Sequence, residues 1–525
     1  MMRLDAEKLP NNTEELKSIL IDLEDHYLSH IEFLEERIRL LTKELFGRKS
    51  EKRPQESELR QLHLFNEPEV LAAEEKKEEP VEVPAHTRRR PKRKPLPADL
   101  PRVDEIHDIP EEKKICACGA RKDCIGQEVS EKLDYVPARM RVIRQIRLKY
   151  ACDACEGVES EEPTVEIAPL PPQIIPKGIA TPGLIAHIAV SKYCDALPLY
   201  RQEKIFARLG IEISRSTMAS WMVRVAEECQ PLMAMLGWML LTGPVINADE
   251  TPVQVLNEPG RENTTTSYMW VFRGGNPHKP VVLFHYSTTR SGNVAGEILT
   301  GYTGYVQCDA FSGYDRLEKE GMLLVGCFAH TRRNFVKVID ARGKDARKKP
   351  GSAEVACDYI RKLYVIEDAV RKEDLPDADL LALRKEKALP VLEEFKNWMD
   401  KRSLLTPPKG LLGKALEYAR SNWPRLVRYL EDIHLTPDNN VVENDIRPFA
   451  LGRKNWLFAG HPNGAAAGAT LFTLISTAKA CGLEPYRYLR FLFEKLPFAR
   501  TEEDFRALLP QNVSAEQLAL IRAGP

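Results

Sequence analysis

Pro244-Val245-Ile246-Asn247-Ala248-Asp249-Glu250-Thr251-Pro252 is the stretch on which the fold turns. Its β-branched residues predict a strand ending at Asp249. Neighbouring strand residues point to opposite faces, so Asp249 and Glu250 cannot both aim at one site. Outward from it, 266–272 and 281–286 read as further strands, with a Gly-rich turn between them. Residues 294–299 read as a short helix, and 304–309 as a strand that closes on Asp309. Residues 323–328 read as a fifth strand. Asp315, just past a glycine, reads as loop.

A third acid, Glu443, opens a predicted helix in Asp438-Asn439-Asn440-Val441-Val442-Glu443. Arg447 lies four residues on and Lys454 eleven, so both share its face, while Asp445 points nearly the opposite way. Two strand-borne carboxylates and one helix-borne carboxylate suit a pair of hard divalent cations, and metal-dependent cutting and joining of phosphodiesters is the matching chemistry. Three strands, a helix, then strands carrying terminal carboxylates describe a ribonuclease H-like α/β core. The competing view, three unrelated surface acids, conflicts with their placement at element ends. His330, beside Arg332 and Arg333, either steadies a phosphate or leaving group or is structural.

The chain has 525 residues, too many for one core, so three or more domains are expected. Net charge is only −1, so the chain as a whole does not advertise a polyanion partner. The N-terminus lacks an apolar signal core, and the longest apolar run, near 232–241, is too short to cross a bilayer. A cytoplasmic location without membrane contact is the expectation. Eleven cysteines, an odd and scattered set, fit reduced thiols better than a disulfide frame.

Leu16, Leu20, Leu23, Tyr27, Ile31, Leu34, Ile38, Leu41 and Leu45 step by three or four, which predicts a coiled coil, or an amphipathic helix packed on its own domain. The following linker turns basic at 87–95, suiting either solvent or a phosphate backbone. Cys116, Cys118, Cys152 and Cys155 bracket a basic, strand-prone stretch and read as a Zn2+ ribbon rather than four buried thiols. At 181–240, a helix stopped by Gly210 precedes one capped by Ser214, a helix-turn-helix pattern in which Arg215 opens the recognition helix. Helix pairs of this shape also occur in all-α cores. Residues 345–430 read as helices with Leu380, Leu383 and Leu389 inside.

Several motifs in order then resemble the insertion-sequence family 66 transposases of bacterial mobile elements. They are Leu45-Phe46-Gly47-Arg48-Lys49, Gln61-Leu62-His63-Leu64-Phe65, Lys149-Tyr150-Ala151-Cys152, Ala248-Asp249-Glu250-Thr251-Pro252, Gly326-Cys327-Phe328-Ala329-His330, 439–448 and 452–460. The chain departs from the family pattern at His461, where serine is common, and in its shorter first cysteine knuckle. The resemblance implies a catalytic Asp-Asp-Glu triad at Asp249, Asp309 and Glu443, with Mg2+ or Mn2+. It implies DNA as partner, both terminal inverted repeats and target; the residues themselves offer DNA or phosphate contacts at His330, Arg332, Arg333, Arg447, Lys454 and Arg215. It also implies homo-oligomers through the coiled coil, small accessory proteins of the element, and association with the nucleoid. The expected organisation is a multidomain α+β chain: coiled coil 1–48, linker 49–100, zinc module 101–165 and a helical DNA-binding region 175–240. A ribonuclease H-like core at 241–340 and 431–480 follows, interrupted by a helical insertion at 341–430 and trailed by a helical tail at 481–525. The alternative is a non-catalytic regulator that binds DNA through the zinc and helix-turn-helix modules.

Overall fold

The computed structural model describes Asn12, Lys17 and residues 140–151, 165–341, 351–373 and 375–519. The coiled-coil seam, the linker and the four zinc-module cysteines lie outside the described residues. The chain divides into two compact units, residues 60–170 and the rest. In the first, β1 (Lys149–Ala151) and β2 (Val165–Ile167) pair antiparallel, with Tyr150 opposite Glu166.

The second unit opens with α1 (Pro182–Tyr193), α2 (Leu199–Arg208), α3 (Arg215–Glu228) and α4 (Gln230–Leu240). Gly210 turns the chain after α2 at φ +77°, a conformation costly for other residues. Ser214 then caps α3, its hydroxyl accepting from the Thr217 amide at 3.1 Å. These helices build no core of their own. Ile185, Met218 and Leu236 join one apolar cluster with Ile246, Trp270 and Phe284 of the sheet.

The sheet contains β3 (Val245–Val255), β4 (Thr266–Gly274) and β5 (Val281–Ser287), consecutive and antiparallel. After α5 (Gly292–Ile298) comes β6 (Tyr305–Gln307), then α6 (Asp315–Lys319) and β7 (Leu323–Val325). The strand order is β5-β4-β3-β6-β7, with β6 parallel to β3 and β7 parallel to β6. Several expectations change here: β6 stops at Gln307 and β7 at Val325, short of 309 and 328, and Phe328 instead opens the next helix. Asp249 does not end its strand: β3 runs on to Val255, because pairing with β4 continues to Gln254. The parallel partner β6 parts from β3 at Asn247, so that edge is unpaired until β8 joins at Gln254, and the gap accommodates Pro252. Asp315 is not loop but opens α6, and it pairs with Arg425 at 2.7 Å.

From β7 the chain enters a helical block: α7 (Phe328–Ala341), α8 (Ser352–Val370), α9 (Asp377–Leu404), α10 (Leu411–Ser421) and α11 (Trp423–Val427). This block has a separate core, including Phe335, Ile360, Phe395 and Trp423. Leu389 is 45% exposed, contrary to expectation. The buried stripe of α9 runs instead through Arg384, Ala388, Leu392, Phe395 and Met399, a three-to-four step that excludes position 389. Arg384 is wholly buried, where it meets Glu367 at 2.8 Å and donates to the carbonyls of Tyr429, Asp432 and Ile433. That closed ion pair fixes the turn that returns the chain to the sheet.

The return is α12 (Asn440–Trp456), followed by β8 (Phe458–Ala459), which pairs parallel with the far end of β3. Then come α13 (Pro462–Ala480), α14 (Pro485–Lys495), α15 (Glu502–Ala507) and α16 (Ala515–Ala519). α13 is apolar nearly all round because it runs through the core, where Phe472 touches the rings of Tyr193, Phe284 and Phe449. It also closes the sheet edge. The outward amides of Val282 and Phe284 on β5 donate to the hydroxyls of Thr477 at 3.1 Å and Thr473 at 2.8 Å. A strand edge left open would recruit other chains.

Candidate active site

Register brings the two aspartates level. Asn247 pairs with Gln307, and their side chains hydrogen-bond at 3.2 Å, so they share a face. Two residues further along β3, Asp249 shares that face, and Asp309, two residues past Gln307, lies within electrostatic reach of it. Asp309 lies just past β6, its carboxylate accepting from the Phe311 amide at 3.0 Å.

Glu443 reaches them from the first turn of α12. That helix is attached to β3 by Asn439, which donates to the Ala248 carbonyl at 2.9 Å and accepts from the Asn247 amide group at 2.9 Å. Gln307 extends the network to the Thr436 carbonyl at 2.6 Å. Asn439 sits at the cap position of α12, yet its side chain serves the strand, and Asp438 accepts from the Asn440 amide instead. A buried amide network therefore fixes the origin of α12, and with it Glu443, against β3 and β6. Asp445 turns the other way and pairs with Arg273 of β4 at 2.8 Å.

The charges here are unbalanced. Burial pushes the Asp249 carboxyl well above the usual range, and the negative charges of Glu250, Glu443 and Asp309 push it further. Among the described residues, neither Asp249 nor Asp309 forms an ion pair. Glu443 is also raised by burial, against the pull of Arg333. Its cations stand off, with Arg333 at 3.5 Å and His330 Nδ1 at 3.6 Å. Glu443 Oε1 and His330 Nδ1 are both buried without a hydrogen bond. Burial and the charge of Arg333 lower the His330 pKa. Crowded carboxylates with too few cations, one bearing an unpartnered buried oxygen, fit a hard divalent cation. Cys327, His330 and Glu443 also gather potential ligand atoms within 4.8 Å of one another, but the thiol is soft and protonated, pushed up to about 12 by burial.

Glu250 meets the opposite fate. On the other face of β3 it is held by Arg290 at 2.5 Å and by the Tyr314 hydroxyl at 2.6 Å. The remaining sequence-named residues separate. His330 and Arg333 share one face of α7 and approach Glu443. Arg332 faces elsewhere, acting electrostatically on Cys357 and Tyr364 of α8. Arg447 is half-buried on α12, Lys454 is exposed near its end, and Arg215 is exposed at the start of α3, outside the carboxylate cluster. Sequence reasoning missed the amide network and Tyr418. The phenol of Tyr418, on α10, lies beside the Ala310 backbone and within electrostatic reach of Asp309. Nothing local marks any of these, although the asparagine pair at 439–440 before a helix was a visible cue.

This site lies inside a recognised family. The family model described as "Transposase IS66 family" matches residues 177–467. Further matches are "Transposase C of IS166 homeodomain" at 33–104, "zinc-finger binding domain of transposase IS66" at 113–156, and "IS66 C-terminal element" at 473–511. "Uncharacterized protein y4jD" of Sinorhizobium fredii is 34% identical over 439 residues, covering 81% of this chain and 82% of its own. "Uncharacterized protein y4qI" of the same organism is 34% identical over 450 residues, covering 82% and 80%. The chain belongs to the IS66 transposase family. No described helix is long and apolar enough to cross a membrane.

Proposed function

We propose that this chain is a DNA transposase that cuts the ends of an insertion element and joins them to target DNA, using a ribonuclease H-like core. The strand order, three antiparallel strands followed by two parallel ones, supports that core. The observation that carries the reading is Asp249: a half-buried carboxyl within electrostatic reach of Asp309 and Glu443 that forms no ion pair among the described residues. Asp249, Asp309 and Glu443 would hold Mg2+ or Mn2+, and such ions when bound activate an attacking hydroxyl and stabilise the leaving oxygen. The chain's own side chains set the geometry. The amide network holds Glu443 in register with the aspartates. His330 and Arg333 stand off from that carboxylate at 3.6 and 3.5 Å and leave its Oε1 without a hydrogen bond, available to an ion. Arg447 and Lys454, on the Glu443 helix, face the DNA backbone. Cys116, Cys118, Cys152 and Cys155 fall within the segment matching the family zinc finger and would bind Zn2+. That module and the helix pair α2–α3 would recognise the terminal repeats, while the coiled coil expected from the N-terminal leucine pattern would pair protomers.

The test uses purified full-length protein, Mg2+ and a labelled element end. Asp309→Ala should abolish cleavage and joining, a loss on the order of 1000-fold or more, while end binding persists. A variant that still joins ends would refute the metal role. A wild-type chain that binds ends but never cuts them would favour the regulator.

A further inference from the structure

We infer that a groove beside the carboxylate cluster, centred on Arg453, is a subsite for a DNA phosphate next to the scissile one. This rests on the transposase reading above. Pro252, Gln254, Thr266, Arg453, Lys454 and Leu457 line the groove, where the end of α12 passes over β3. Arg453 donates to the Thr251 hydroxyl at 3.0 Å. Thr251 is two residues from Asp249 on the same strand face, roughly 7 Å along β3. Successive phosphates of an extended strand are separated by a similar step.

The charge around Arg453 makes an anion the fitting occupant. Its guanidinium is half-buried, and among the described residues it forms no ion pair. Burial alone shifts it, downward, with no acid raising it. Among the described residues no carboxylate lines the groove, and Lys454 lies at its rim. A partly desolvated guanidinium already aimed by a hydroxyl presents its remaining N–H groups to an oxyanion at low entropic cost. Leu457 closes the far wall. It is 63% exposed and holds φ +66°, a backbone state unfavourable for a branched side chain. Strain and exposure together fit an apolar contact to the sugar or base beyond that phosphate.

The experiment scans neutral methylphosphonate linkages through an element-end duplex, three positions to either side of the cut. Binding of the full-length chain is followed by fluorescence anisotropy without divalent metal, so no cleavage is needed. Wild type should lose about tenfold in affinity at one linkage adjacent to the scissile position. Arg453→Gln should bind the all-phosphate duplex about tenfold more weakly, show no further loss at that linkage, and lower the salt slope by about one. Arg453→Lys should keep the slope but lose part of the affinity. Thr251→Val, which keeps the charge but frees the guanidinium, should blunt the same position, and it replaces Arg453→Gln if that variant's melting temperature shows misfolding. Arg453→Gln and wild type giving one shared position profile would overturn the inference. Failure of the transposase reading appears separately, as a wild-type chain that binds element ends with Mg2+ present but never cuts or joins them.

Discussion

The helical insertion and the sheet each bury an acid, and they treat it differently. In the insertion, Glu367 is 5% exposed and is met by Arg384 at 2.8 Å and Arg371 at 2.6 Å. Each charge there has an opposite, and the two terminal nitrogens of Arg384 also donate to carbonyls, although its Nε and Glu367 Oε2 stay without a hydrogen bond. In the sheet, Asp249 is half-buried among Glu250, Glu443 and Asp309. A closed pair holds a fold together, whereas uncompensated like charge is tolerated only where something else supplies the counter-charge. The contrast repeats within two residues: Glu250 is closed by Arg290 and Tyr314, while its neighbour Asp249 stays open.

Substitutions can break or sharpen this contrast. The largest stability effect is expected at Glu367→Ala, which strands Arg384 in a core without its partner. Urea unfolding should show a loss of about 3 kcal/mol or more. Glu250→Gln should cost about 1 kcal/mol, because Arg290 is 43% exposed and water takes over part of its charge. Asp249→Asn should cost nothing in metal-free protein at neutral pH, and should raise the melting temperature slightly. Loss of stability comparable to that of Glu367→Ala would mean that Asp249 is a structural acid after all.

The Asp249 effect has a definite pH sign. Burial and like charge hold its carboxyl above the usual range, so the folded chain keeps a proton that the unfolded chain releases. Its contribution is complete below the unfolded value near 4 and is lost as pH rises through the higher folded value. Metal-free wild type should therefore lose stability relative to Asp249→Asn as pH rises from about 4 toward neutrality. Saturating Mg2+ should remove that difference for the wild type alone, as read by thermal melts across pH.

Much of this fold was legible because strands and helices announce themselves through period. The strand segments near 245, 266, 281 and 304 follow from β-branched runs, and α3 from its Ser214 cap. Helical geometry alone separated Glu443 from Asp445, which pairs with Arg273. What stayed hidden depends on distance along the chain. Asn439 meets Ala248 across 191 residues, and Gln307 meets Thr436 across 129. No window of sequence contains both partners. The end of β3 was misjudged because β4, not local propensity, carries the strand past Asp249. Leu389 misled for a related reason: its apolar character is local, but the buried phase of α9 is set by the helices it packs against.

The most direct measurement of the central claim is anomalous scattering from a crystal of the full-length chain grown with an element-end duplex and Mn2+. The account predicts a manganese peak at coordinating distance from carboxylate oxygens of Asp249, Asp309 and Glu443. A fully bound duplex with manganese absent from that cluster, or held only by Cys327 and His330, would contradict it.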